Sequence, residues 1–209
     1  MRFIYIAISI VFLSFNIYGT QASKMIELLE QGNTKDAEKY SEKISSIKTS
    51  EVSVEHLPMF LKMLECDSVK IKKVSLKLLH KIAFYYFYAK KSDKAKYDHL
   101  VGFEGSNKLK ESLISLLDSD NDFYRKESVM ILALVFDGDT QVEEKFLESI
   151  KTESNDNVRQ NIISSLSMCD FNSKATYSVL VEEANSKKHK GIQHHINKGL
   201  SRFGIQAPQ

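Results

Sequence analysis

A histidine-rich C-terminal stretch, a pair of cysteines and a run of lysines carry the residue types from which this chain could build chemistry. Metal ligation is the first possibility to test. His189, His194 and His195 lie close together, yet no two are four residues apart and no acidic residue follows them. Zinc ligands usually stand at spacings that place them on one face, so these histidines read as surface residues, and His80 as packed or solvated. No metal or other cofactor is expected. Cys66 and Cys169 have no histidine in a nucleophile motif beside them and read as two free, mostly buried thiols. Glu143-Glu144 and Glu182-Glu183 are sequence neighbours, which a helix points about 100° apart, so neither pair makes an acid/base couple. There is no glycine-rich phosphate loop, serine nucleophile elbow or His-Glu-x-x-His, and no enzyme is expected.

The lysines are the stronger pattern. Lys70, Lys73, Lys77 and Lys81 recur at i, i+3, i+7 and i+11, on one side of a helix. From Lys70 to Lys96 nine lysines meet one acid, Asp93, for a net charge of +8, whereas ten acids and four bases from Ser119 to Val158 give −6. The whole chain carries only +2, so its charge is segregated rather than uniform. A basic stripe of this kind reads as an anion- or acidic-protein-binding patch, and a protein is the expected partner. Aligned positions further along are Lys126, Met130 and Leu134, then Gln160, Ser164 and Met168, which do not continue it. A nucleic-acid groove needs charge spread along the phosphate path, so nucleic acid is not the expected partner. Directly after the stripe comes Phe84-Tyr85-Tyr86-Phe87-Tyr88. Aromatic side chains are favoured at interfaces, and Tyr86 and Tyr88 join the lysines as candidate partner-binding residues.

Helices must position these groups. The chain is 43% hydrophobic and 27% charged, with two prolines and eight glycines, and turn clusters separate long segments of helical spacing. That composition and spacing predict an all-α protein. The stretch "NDFYRKESVMILALV" at 121–135 is echoed 34 residues later by "NDNVRQNIISSLSMC" at 155–169. Each reads as an acidic turn that caps a helix, and "SNKLKESLISLLDS" and "TQVEEKFLESIKTE" supply a preceding amphipathic helix. Helix-turn-helix units are expected near 53–84, 106–136, 140–169 and 175–204. A single such unit cannot bury its own apolar face, so copies are expected to stack.

The units resemble the HEAT-repeat family in its short bacterial form. The resemblance rests on an acidic turn, an apolar residue before arginine, and apolar positions along the second helix: Asp122 to Arg125 and Asp156 to Arg159 fit it, and Ile71-Lys72 stands in for the apolar-basic pair. It implies an α-solenoid of about four stacked helix pairs over 51–209, with second helices lining a concave binding face. Residues 23–50 read as two short helices around Gly32-Asn33, with Thr34 capping the second, forming an N-terminal cap. Lys72, Arg125 and Arg159 are 53 and 34 residues apart, so about 19 extra residues (53 − 34) fall near 85–107, the expected position of a loop insertion.

Residues 1–22 read as a signal peptide. Arg2 precedes an apolar run from Phe3 to Phe15, shorter than the ~20 residues of a membrane-spanning helix, and Thr20-Gln21-Ala22 offers a cleavage site. The mature protein is expected to be periplasmic or secreted, without stable membrane insertion after cleavage. These features lead to an exported, non-enzymatic protein that binds another protein. A periplasmic immunity protein that neutralises a toxin is an alternative. The resemblance also admits a HEAT-like lyase or glycosylase, which export opposes.

Overall fold

The computed structural model describes residues 21–92, 102–186 and 188–204, so nearly all of the expected signal segment lies outside the described residues. The protein is all-helical, with no strand among those residues. In chain order the helices are α1 (21–30), α2 (Thr34–Ile44), α3 (Leu57–Glu65), α4 (Val69–Ser92), α5 (Asn107–Leu116), α6 (Asp122–Val135), α7 (Thr140–Thr152), α8 (Asp156–Met168), α9 (Lys174–Ser186) and α10 (Gln193–Ser201). None of them is long and apolar enough to cross a membrane. The chain forms two compact units, Met1–Gly105 and Ser106–Gln209, which divide within the span that the repeat spacing places in one domain.

In the first unit, α1 and α2 turn at Gly32, whose φ of 67° suits a residue without a Cβ. The cap of α2 is Asn33, not Thr34: its side chain accepts the Asp36 N–H, and Thr34 is already the first helical residue. Both α2 and α3 pack against α4. Met59, Phe60 and Met63 of α3 are fully buried, and the Phe60 ring lies 6.4 Å from Phe103, beyond α4 in sequence.

The second helix of this unit is longer than expected. α4 runs to Ser92, so 85–92 is helix and not the start of a loop; residues 93–101, where the insertion continues, lie outside the described residues. The reason is periodic burial. Tyr86 and Phe87 extend the buried stripe of Leu78, Leu79, Ile82 and Ala83, while Phe84, Tyr85 and Tyr88 stay outside. That alternation is helical, so the aromatic run prolongs α4.

The second unit contains three hairpins, α5–α6, α7–α8 and α9–α10, and its second helices also pack in order, α6 against α8 and α8 against α10. Leu132 and Leu166 are both fully buried. The side chains of Asn121 and Asn155 cap α6 and α8, and those of Ser106 and Asp139 cap α5 and α7. Leu113, Phe146 and Leu180, at matching positions of the first helices, are fully buried. Aromatic contacts close two hairpins: Phe146 with Phe171 at 5.8 Å, and Tyr177 with Phe203 at 5.3 Å.

Polar links join successive hairpins at recurring places. Arg125, near the start of α6, grips Glu153 through Nε (2.8 Å) and Nη2 (3.0 Å) and donates from Nη1 to the Ser119 carbonyl. Arg159, the matching residue of α8, donates to Glu183 of α9 at 2.6 Å. Burial pushes the Glu153 and Glu183 carboxyls up, but the guanidinium hydrogen bonds and charge more than offset this and hold both below the ordinary range. Along the first helices, Lys110 donates to Asp139 at 2.8 Å, and the Ser173 N–H and Thr176 hydroxyl donate to Glu143.

Candidate functional site

The lysine stripe lies on α4, which contains no Asp or Glu along its 24 residues. Lys70, Lys77 and Lys81 are exposed and Lys73 is half-buried. They do not share one environment. Lys70 reaches across to Glu42 of α2 at 2.6 Å, and this pairing raises the lysine and lowers the carboxyl relative to their ordinary values. Lys70 therefore helps to join α2 to α4. Beside it, Glu38, Val69, Lys70, Lys73, Val74 and Lys77 line a groove of about 650 Å³. The groove combines aliphatic groups with a lysine rim, and Val69 is 52% exposed.

Past Lys81 the same side of the helix becomes aromatic. Phe84, Tyr85 and Tyr88 are 49%, 47% and 50% exposed, and the Phe84 and Tyr88 rings stack obliquely at 4.6 Å. Positions 77, 81, 84 and 88 advance by four, three and four residues, so they share a helix face. Tyr86 is different. It is buried, and its hydroxyl is pushed up to about 12 by burial and by the neighbouring Glu104 carboxylate. Its placement with Ile82 and Ala83 makes Tyr86 a core residue and removes it from the candidate contact surface. Phe84, Tyr85 and Val69 were absent from the expected site. Extending the lysine periodicity forward from Lys81 reaches Phe84 and Tyr85, whereas Val69 falls between its steps.

The other candidate groups are structural. His189 is buried, correcting its reading as a surface residue: its Nδ1 lies 2.9 Å from Glu183, within the same cluster as Arg159. Each acidic doublet divides between core and solvent, with Glu143 and Glu183 buried and Glu144 and Glu182 exposed. The buried members are inter-hairpin acceptors. Neither cysteine forms a disulfide; Cys169 is buried and Cys66 half-buried, and burial raises the Cys66 thiol. Among the described residues no group of three His, Cys, Asp or Glu side chains could hold a metal ion.

A second cleft, of about 360 Å³, lies beside α7 and includes Asp118, Arg125, Lys145, Glu148 and Glu153 in its lining. Its charges bond to one another: Lys145 with Asp118 and Glu148, and Arg125 with Glu153. It is a junction within the second unit. The exposed face of α4 is the better candidate for an external ligand. No protein-family model matches the chain, and no curated protein matches it significantly.

Proposed function

We propose that this chain is an exported HEAT-like repeat protein that works by binding an acidic protein, rather than by catalysis, along the outer face of α4. The observation that carries the reading is the continuity of Lys77 and Lys81 with exposed Phe84, Tyr85 and Tyr88 on a helix without acids. Grouped cations speed encounter with an acidic surface, and grouped aromatics supply the contact area from which interface hot spots are made. The packing of α6 on α8 and α8 on α10 supports the stacked-hairpin reading, as does the packing of α2 on α4. Residues 1–22 motivate export, with the mature chain beginning at Ser23; an intact Met1 in mass spectra of native protein would reject that cleavage.

The decisive test is partner capture from an envelope extract of the source cell with two charge-reversed chains. Lys77→Glu with Lys81→Glu should abolish capture, and Asp120→Lys with Glu144→Lys should leave it intact. Asp120 and Glu144 are exposed, whereas Glu143 is unsuitable because it is buried against Ser173 and Thr176. The reverse outcome would reject the α4 reading and favour an immunity protein directed at a basic toxin.

A further inference from the structure

The two halves of the α4 face differ chemically, and that difference constrains the partner beyond its being acidic. We infer that α4 receives a narrow amphipathic segment whose carboxylates lie opposite Lys73, Lys77 and Lys81 and whose apolar side chains follow against Phe84, Tyr85 and Tyr88. The inference rests on the reading of α4 as the binding face. From Lys77 to Tyr88 the helix rises about 17 Å, at 1.5 Å per residue, so a helical ligand of roughly 12 residues spans both halves. The lysine half offers screened, long-range attraction that sets register. The aromatic half offers apolar area and oblique rings on which Leu or Phe side chains can pack.

The surroundings of α4 favour a narrow segment over a flat anionic surface. Glu38 lines the groove beside Lys70, Lys73 and Lys77, and Glu42 pairs with Lys70. A lipid headgroup layer laid over the stripe would bring its phosphates against both α2 carboxylates, whereas a single segment along α4 can pass beside them. A second copy of this chain is also a poor ligand. Of the exposed carboxylates in and beside its acid-rich stretch, Asp118 and Glu148 are engaged by Lys145, Asp122 by Arg125 and Asp156 by Lys188, and the exposed Asp120 and Glu144 lie on separate elements rather than in one row.

Three synthetic helical peptides of about 15 residues test the inference by fluorescence anisotropy with the mature full-length chain. The first has glutamates in one half and Leu and Phe in the other, all on one face. The second has the same composition with the two types interleaved, and the third keeps the acidic half but carries serine in place of the apolar residues. The first should bind at least about tenfold more tightly than either control. Lys77→Glu with Lys81→Glu, and separately Phe84→Ser with Tyr88→Ser, should each weaken the first peptide by about tenfold or more with an unchanged circular dichroism spectrum. The aromatic pair should leave the third peptide's affinity unaltered. Equal affinity for the first and third peptides would overturn the two-part segment and leave the acidic-partner reading standing. Failure of all three would overturn both. The inference would also fall if phosphatidylglycerol vesicles outcompeted the first peptide, or if the chain self-associated in sedimentation and the same substitutions abolished it.

Discussion

Two sets of basic side chains on second helices behave in opposite ways. Arg125 and Arg159 sit near the starts of α6 and α8, and each is bound by a glutamate of the following hairpin, Glu153 at the C-cap of α7 and buried Glu183 in α9. Lys77 and Lys81 sit along the middle of α4, exposed, on a helix that contains no acid. The guanidinium is a planar fork that can serve a carboxylate and a backbone carbonyl together, and Arg125 does so with Glu153 and Ser119. The ammonium is a strongly hydrated point charge on a flexible stem. Charge sign therefore says little about role. Burial and side-chain geometry distinguish the two sets: the arginine forks are half-buried between hairpins of the second unit, whereas Lys77 and Lys81 are exposed.

The contrast can be broken most severely from the core. Leu132→Ala and Leu166→Ala should each cost about 2–5 kcal/mol in urea unfolding; a loss under about 0.5 kcal/mol in either would mean that the two positions are not equivalent. Arg159→Met leaves the buried Glu183 without its guanidinium and should cost roughly 2–4 kcal/mol. The double variant Arg159→Met with Glu183→Met should recover part of that loss. A double variant no better than the single one would show that packing, and not charge, sets the value.

A smaller effect is expected where α10 approaches α8. A Cβ on Gly199 would stand 2.9 Å from the Ser167 Cα and 3.0 Å from its carbonyl oxygen. Backbone atoms cannot yield as a flexible side chain can, so Gly199→Ala should cost about 1–3 kcal/mol through overpacking. An unchanged thermal midpoint would place the two helices further apart.

Acid should separate the two units. Buried His56 in the first unit is held below its ordinary value of 6.5, chiefly by burial. The unfolded chain therefore takes up the proton first, and the stability from neutral His56 is full above pH 6.5 and is lost as the pH falls toward the folded value. Glu153 and Glu183 in the second unit are depressed from 4.5, so their contribution is full above that pH and lost only below it. Hydrogen exchange between pH 7 and 4 should show amides of α3 losing protection at higher pH than those of α8. The reverse order would contradict both assignments. Smallest of all is the expected effect of Lys77→Glu with Lys81→Glu on stability, within about 0.5 kcal/mol. A larger loss would make the α4 lysines architectural after all.

Helical periodicity made the hairpins legible in the sequence, and the echo at 121 and 155 located the two capping turns, within which Asn121 and Asn155 are the caps. The lysine face was legible for the same reason. Burial of single polar residues was not. Glu143 and Glu144 are chemically identical neighbours, and Glu143 takes its role from the arrival of Ser173 and of Thr176 in α9. His189 likewise takes its role from Glu183, a residue whose burial depends on Arg159 of α8. The end of α4 differs from the expected one because repeat spacing counts extra residues near 85–107 without saying whether they loop out or prolong the helix. Read by angle, the aromatic run continues both a buried stripe and an exposed one.

The links along the first helices have one more consequence. Lys110 and Glu143 occupy the same place, four residues after the caps Ser106 and Asp139, and each bonds toward the cap of the next first helix. Their polarity is inverted: Lys110 offers a proton to the carboxylate of Asp139, while Glu143 accepts from Ser173 and Thr176. The hairpins are therefore not interchangeable bricks. A gene duplication that placed a second copy of α7–α8 directly after the first would set Glu143 against the Asp139 of its twin, carboxylate against carboxylate. Adjacent hairpins of the second unit are matched to one another by the polarity of this link, although they share one backbone plan.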